Sequence, residues 1–251
     1  MDARLEQLQA PAAVKAALRS LVTALGGDAG DAVAGLVVYG DVAKARHRAG
    51  GPVQVALLLR AATTASLDRV APALRDAWRE ARVEPFLLTT SEVRAAADVF
   101  PTKLLDIQRH HVVLLGDDPF HDLVVDREHL RLRVEQELRN VSMRLRRIYV
   151  GSGRDAQRLR LELLDLLEPL AVSLAELLRL RGHAVPDDAA PAVFVAAGKA
   201  LDLDEGALAG LDALAAGSVP PATTLSDLFA RLLATVARAA DLANDVPGRP
   251  A

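Results

Sequence analysis

The sequence predicts an α+β chain in two parts. An α/β domain with a mixed sheet is expected over residues 1–125, and an all-helical bundle over residues 126–251. Three observations carry this. Short apolar, β-branched runs alternate with helix-spaced segments through the first part. Beyond Asp126 the apolar spacing is only three and four, and nothing reads as a strand. A hydrophobic content of 51% over 251 residues supplies material for a core in each part.

Leu5, Leu8, Val14, Leu18, Leu21, Val22 and Leu25 recur near helical spacing and stop at Gly26-Gly27, so one amphipathic helix is expected to open the chain. Val33 to Tyr39 and Val53 to Leu59 read as buried strands. Leu67, Val70, Leu74 and Trp78 mark a helix ending near Ala81. Val83 to Leu88 reads as a third strand, and Pro85 assigns it to a sheet edge because proline has no N–H to donate. Thr90 is expected to cap a helix over Glu92 to Ala97. Pro101 starts a short helix, and "HVVLLG" is a last strand stopped by Gly116. In the second part Leu130, Val134, Leu138, Val141, Leu145 and Ile148 form the seam of one long helix. Gly151-Ser152-Gly153 separates it from a helix over Asp155 to Leu180, apolar on most sides and so suited to a bundle centre, which Gly182 and Pro186 stop. Three shorter helices are expected near Ala190 to Leu201, Glu205 to Ala215, and Leu225 to Ala243. Thr224 is the expected N-cap of the last, with Asp227 three residues on.

Composition narrows the function classes. No apolar run reaches the length of a membrane span, and Met1 to Gln9 is charged, without the apolar core of a secretory signal. The absence of cysteine excludes disulfides and thiolate metal sites and fits a reducing, cytoplasmic setting. Arginine far outnumbers lysine, as in GC-rich bacterial genomes. A net charge of −3 and 3% aromatic residues leave any nucleic-acid footprint local.

The chemistry-bearing stretch is "VVYGDVAKARHRAGGPVQVALLLR", residues 37–60. A strand ends in Gly40-Asp41, where glycine permits a tight turn whose backbone N–H groups can face a phosphate. Lys44, Arg46 and Arg48 follow, and a second strand begins after Pro52. Acids at i and i+2 of such a strand would share a face, since side chains alternate. With a third acid on a neighbouring strand they could hold two magnesium ions against a triphosphate.

This segment resembles the nucleotidyltransferase superfamily that includes polymerase beta and kanamycin nucleotidyltransferase. Members carry Gly-Ser or Gly-Gly, a gap containing Arg-Gly, then Asp-x-Asp. The stretch "DVFPTKLLDIQRHHVVLLGDDPFHDLVVDREHLRLRVEQELRNVSMRLRRIY", residues 98–149, is similar to the junction where such α/β domains pass into a helical domain. The resemblance covers roughly residues 30–150 and implies a nucleotidyltransferase-like fold. It also implies a degenerate site. Pro52-Val53-Gln54 stands where Asp-x-Asp belongs, Asp41 replaces a serine, and Glu84 in "RVEPFL" is the one acid left to occupy a family carboxylate position. Proline carries no charge and glutamine is a poor magnesium ligand. The expectation is therefore a non-catalytic pseudoenzyme without a cofactor. It would keep a remnant nucleotide or phosphate site of Gly40, Asp41, Lys44, Arg46, Gln54 and Glu84. The alternatives are an active, magnesium-dependent transferase acting on a small molecule, protein or RNA through Glu84 and another acid, and a helical interaction scaffold that binds a protein partner or a second copy of itself.

Three other features compete. Asp106, His110, His111, Asp117, Asp118, His121 and Asp122 include metal-ligating types. Yet their spacing matches no ligand motif, His110 and His111 would face opposite sides if both lay in the strand, and Asp117-Asp118-Pro119 is turn chemistry. Residues 127–160 hold ten arginines against four acids, a surface for phosphate or RNA or else a solvated helix face on which Arg131 and Arg139 pair with Glu135. "RLRGH" places Arg179 too near His183 for the signature of HEPN ribonucleases, so ribonuclease chemistry is not expected.

Overall fold

The computed structural model describes residues 2–27, 29–48, 50–152, 155–185, 187–218 and 222–247. Gly153, Arg154 and Pro186, to which the sequence reading gave roles, lie outside the described residues. The chain divides into two compact units, Met1–Val125 and Asp126–Ala251. The first is α+β with a mixed sheet. Helices α1 (Asp2–Gln7) and α2 (Ala12–Gly26) precede strands β1 (Val33–Tyr39) and β2 (Val53–Leu59). Then come α3 (Thr64–Ala81), β3 (Val83–Thr89), α4 (Glu92–Val99), α5 (Pro101–Arg109) and β4 (His111–Gly116).

The sheet order is β3-β2-β1-β4. β1 runs antiparallel to β2 and β4, whereas β2 and β3, joined through α3, are parallel. Alternation sends Leu36, Val38, Val55 and Leu57 into one core with Leu18, Leu21 and Leu25 of α2. Val37, Tyr39, Ala56 and Leu58 face the other way, against Leu104 and Ile107 of α5 and Phe120. The Gln108 amide fastens the segment after β4, facing the carbonyls of Phe120, His121 and Leu123 at 3.0, 3.2 and 2.9 Å.

Pro85 does lie on an edge strand, and the edge is guarded twice. Val53 N–H donates to the Arg82 carbonyl (3.1 Å) and Thr90 N–H to the Leu59 carbonyl (3.2 Å), so even-numbered β3 residues bond inward. Residues 83, 85, 87 and 89 therefore point their backbone groups outward. Pro85 has no donor there, and the Thr89 N–H is taken by Glu92 Oε2 at 2.7 Å.

That contact also corrects the expected cap of α4. Thr89 Oγ1 accepts from the Glu92 N–H (3.3 Å) while the Glu92 carboxylate answers the Thr89 N–H, a reciprocal capping box one residue before Thr90. The opening helix is two helices, because Pro11 takes the N-cap position of α2.

The second unit holds α6 (Arg127–Ser152), α7 (Ala156–Leu164), α8 (Leu167–Leu180), α9 (Ala190–Leu201), α10 (Glu205–Ala215) and α11 (Ala222–Asn244). The expected single helix over 155–180 breaks at Asp165–Leu166. Pro169 cannot bond back four residues, and the restart places it in the first turn of α8, where no such bond is needed. Leu170, Leu174, Leu177 and Leu178 of α8 are buried, as befits a bundle centre packed by α6 and α9. α11 packs along α6, and the Tyr149 ring stacks on Phe229 with centroids 4.8 Å apart. α11 begins at Ala222, so Thr224 lies inside its first turn and is not its N-cap. Among the described residues no helix is long and apolar enough to cross a membrane.

Candidate functional site

Pairing registers set a row of side chains across one end of the sheet. Tyr39 of β1 pairs with Gln54 of β2 and with His111 of β4, and Gln54 pairs with Glu84 of β3. Paired residues share a face, so Glu84, Gln54, Tyr39 and His111 stand side by side. This is the face that α5 covers, as the contact of Tyr39 with the α5 core attests.

Gly40 turns the chain away from β1 with φ +69°, a conformation glycine adopts without strain. Gln54 fills the space a side chain would take: a Cβ on Gly40 would lie 1.6 Å from Gln54 Oε1. The turn that follows spends its own donors. Lys44 N–H bonds to the Gly40 carbonyl (3.0 Å), Ala45 N–H to Val42 (3.3 Å) and Arg46 N–H to Asp41 (2.8 Å). The amides of residues 44–46 are thus spent within the turn, which closes on itself.

Lys44 Nζ sits 2.6 Å from Asp106 Oδ1 of α5, and His110 Nδ1 lies 3.7 Å from the same oxygen. The charge expected to greet a ligand is already matched by a carboxylate. Lys103, one turn earlier on α5, has no such match: among the described residues its ammonium meets rings, 3.9 Å from the Phe86 centroid and 5.7 Å from that of Tyr39. Phe100 closes edge-on against Phe86 at 6.4 Å. Desolvation against these rings lowers the Lys103 pKa, although the residue as a whole is exposed. The Tyr39 hydroxyl is pushed up to about 12, first by burial and then by the negative charges of Asp106 and Glu84. Both carboxylates thus bear on one phenol.

Of the residues singled out in the sequence, Gly40, Lys44, Gln54 and Glu84 gather here. Asp41 is exposed, and Arg46 is partly buried beside it in the turn. Pro52 precedes β2 and adds no ligand atom. The donor set does not suit two magnesium ions: Gln54 is neutral, and Asp106 is engaged by Lys44. Tyr39 and Lys103 were missed by sequence reasoning. The available signal was the spacing of Lys103 and Asp106, three apart on a short helix and so on one face.

The His/Asp stretch resolves into a turn. His110 caps the end of α5 and does not enter the strand, so the condition for the two histidines to face opposite sides of β4 is not met. His111 Nε2 is 2.9 Å from Asp118 Oδ2, and Phe120 N–H donates to Asp118 Oδ1 at 2.9 Å. Burial works to raise Asp118, but the Phe120 N–H and His111 outweigh it and the carboxyl is held low. In the helical unit Arg179 pairs with Glu176 (2.7 Å) and Asp188, while His183 lies beyond the helix end. No protein-family model matches this chain, and no curated protein matches it either.

Proposed function

We propose that the chain is a nucleotidyltransferase-like protein that binds a nucleotide or other phosphate-bearing ligand without magnesium and without transferring it, and acts as a regulatory module. The observation that carries the reading is Gln54. It stands in the row Glu84–Gln54–Tyr39, where the resemblance would put a metal-binding aspartate, and packs against Gly40, so that position itself carries no charge. Lys103 supplies the ammonium that a phosphate oxygen would meet, since Lys44 already answers Asp106. The Tyr39 phenol, protonated throughout the physiological range, is a donor beside it.

The test is isothermal titration with ATP, GTP, CTP and UTP, each with and without magnesium. Binding indifferent to magnesium and weakened about tenfold by Lys103→Met is the expected result, the loss of one charge-assisted contact. Binding that requires magnesium would overturn the reading in favour of an active transferase in which Glu84 and Asp106 hold metal. The absence of binding to all four would leave the α/β unit a scaffold.

A further inference from the structure

The arginine surplus of residues 127–160 divides in two along α6. In its first half every arginine is engaged: Arg127 with the Leu180 carbonyl (2.5 Å), and Arg131 with Glu128 (2.6 Å) and Glu135 (3.3 Å). Arg133 pairs with Glu137 (2.5 Å), and Arg139 with Glu135 (3.4 Å) and Asp241 (3.1 Å). The second half differs. From Leu138 to Ser152 the sequence holds no acidic residue, and Arg144, Arg146 and Arg147 make no ion pair or hydrogen bond among the described residues.

Apolar residues stand between these charges. Met143, Arg146, Arg147 and Val150 are three and four apart and share one helix face. Met143 is 57% exposed and Val150 83%, turned away from the buried seam of Val141, Leu145 and Ile148. The face is therefore an aliphatic strip with an unmatched guanidinium on each side.

The charge and the strip together select the partner. Single-stranded nucleic acid would need a series of rings on which successive bases stack, and residues 138–152 hold one aromatic, Tyr149, with one face already given to Phe229. A lipid surface would need a broad apolar face with aromatic anchors, and this strip is two side chains long and one wide. An acidic amphipathic helix satisfies both parts, with aliphatic side chains laid along Met143 and Val150 and carboxylates meeting Arg146 and Arg147 bidentately. We propose that the C-terminal half of α6 is a docking face for an acidic amphipathic helix of a partner protein.

Fluorescence anisotropy with a labelled synthetic helix of about 18 residues, leucines at i, i+3, i+4 and i+7 and glutamates on both flanks, tests this. The expected result is saturable binding, weakened at least about tenfold by the double change Arg146→Glu and Arg147→Glu, and likewise by glutamine in place of the peptide's leucines. Arg69→Glu, at an exposed site on α3, should leave it unchanged. The double variant, checked for native circular dichroism, should instead bind a lysine-flanked version of the peptide. No binding of the acidic peptide, equal binding of the leucine-free one, or failure of the charge swap would overturn the proposal. Tighter binding of an oligouridylate or of phosphatidylglycerol vesicles through the same arginines would overturn it as well.

Discussion

Gly40→Ala tests whether Gln54 holds its place against the turn. The substituted residue must keep φ near +69°, which costs about 1–2 kcal/mol for a residue with a Cβ. Its Cβ would also fall 1.6 Å from Gln54 Oε1, far inside contact distance. The obstacle is the end of a flexible side chain, so Gln54 can swing aside, at about 0.5–1.5 kcal/mol for a displaced rotamer. The total expected is about 1.5–3.5 kcal/mol. With Gln54→Ala already present, only the backbone cost remains, and the double-mutant cycle should return a coupling of about 1 kcal/mol. Trp78, the single tryptophan, lies on α3, so its fluorescence during urea unfolding reports on the α/β unit alone. The midpoint shift at constant slope gives the energies. A coupling below about 0.3 kcal/mol would mean that Gln54 does not pack there, and the neutral-site reading would lose its footing.

Two further outcomes follow from local chemistry. Arg231 bonds to Asp204, the N-cap of α10, with Nε 2.7 Å from Oδ2, and this pairing, ahead of the Ala207 N–H, holds the carboxyl down at about 2. A depressed folded pKa stabilises above the ordinary carboxylate value of 3.8 and is lost as pH falls from there through about 2. Because both side chains are at least a third exposed, solvent screening keeps the contribution small. Arg231→Met should lower stability slightly at neutral pH, with the gap closing below pH 2 in urea melts followed by circular dichroism; a gap constant with pH would refute the pairing. At the β3 edge, Pro85→Val combined with Glu92→Ala would restore one outward N–H and release another, and size-exclusion chromatography should then show concentration-dependent association. Elution identical to the wild type would mean that something other than these two residues guards the edge.

β1, β2 and β4 were legible because each is a short apolar run bounded on one side by glycine or proline. Val33–Tyr39 and Val53–Leu59 have the bounds the sequence implies. The helix breaks were not. At Pro11 and at Asp165–Leu166 the apolar stripe continues on the same face after the chain restarts, so periodicity sees one helix where hydrogen bonding makes two. The capping box slipped by one residue for a related reason: neighbouring Thr89 and Thr90 are chemically equal as caps, and only the turn out of β3 selects between them. In the candidate site, the shared face of Gln54 and Glu84 depends on period-two alternation and on β2 lying beside β3. The first is written in the sequence and the second is not. Lys44 and Asp106 are further removed, joined only by the packing of α5 on the sheet.

That packing bears on why the site is built as it is. The Tyr39 phenol is displaced to about 12, first by its burial and then by the negative charges of Asp106 and Glu84. Aspartates in place of Pro52 and Gln54 would add two more charges to the same sheet end, and such a cluster needs bound cations or shared protons to offset its repulsion. With glutamine at 54 and proline at 52 the remaining charges nearly balance: Lys44 answers Asp106, and Lys103 stands on the ring beside Glu84's row. The uncharged residues at 52 and 54 and the two lysines are thus parts of one electrostatic arrangement. Among the described residues Lys103 is the member without a carboxylate of its own, and it is therefore the charge that the proposed phosphate-bearing ligand would meet.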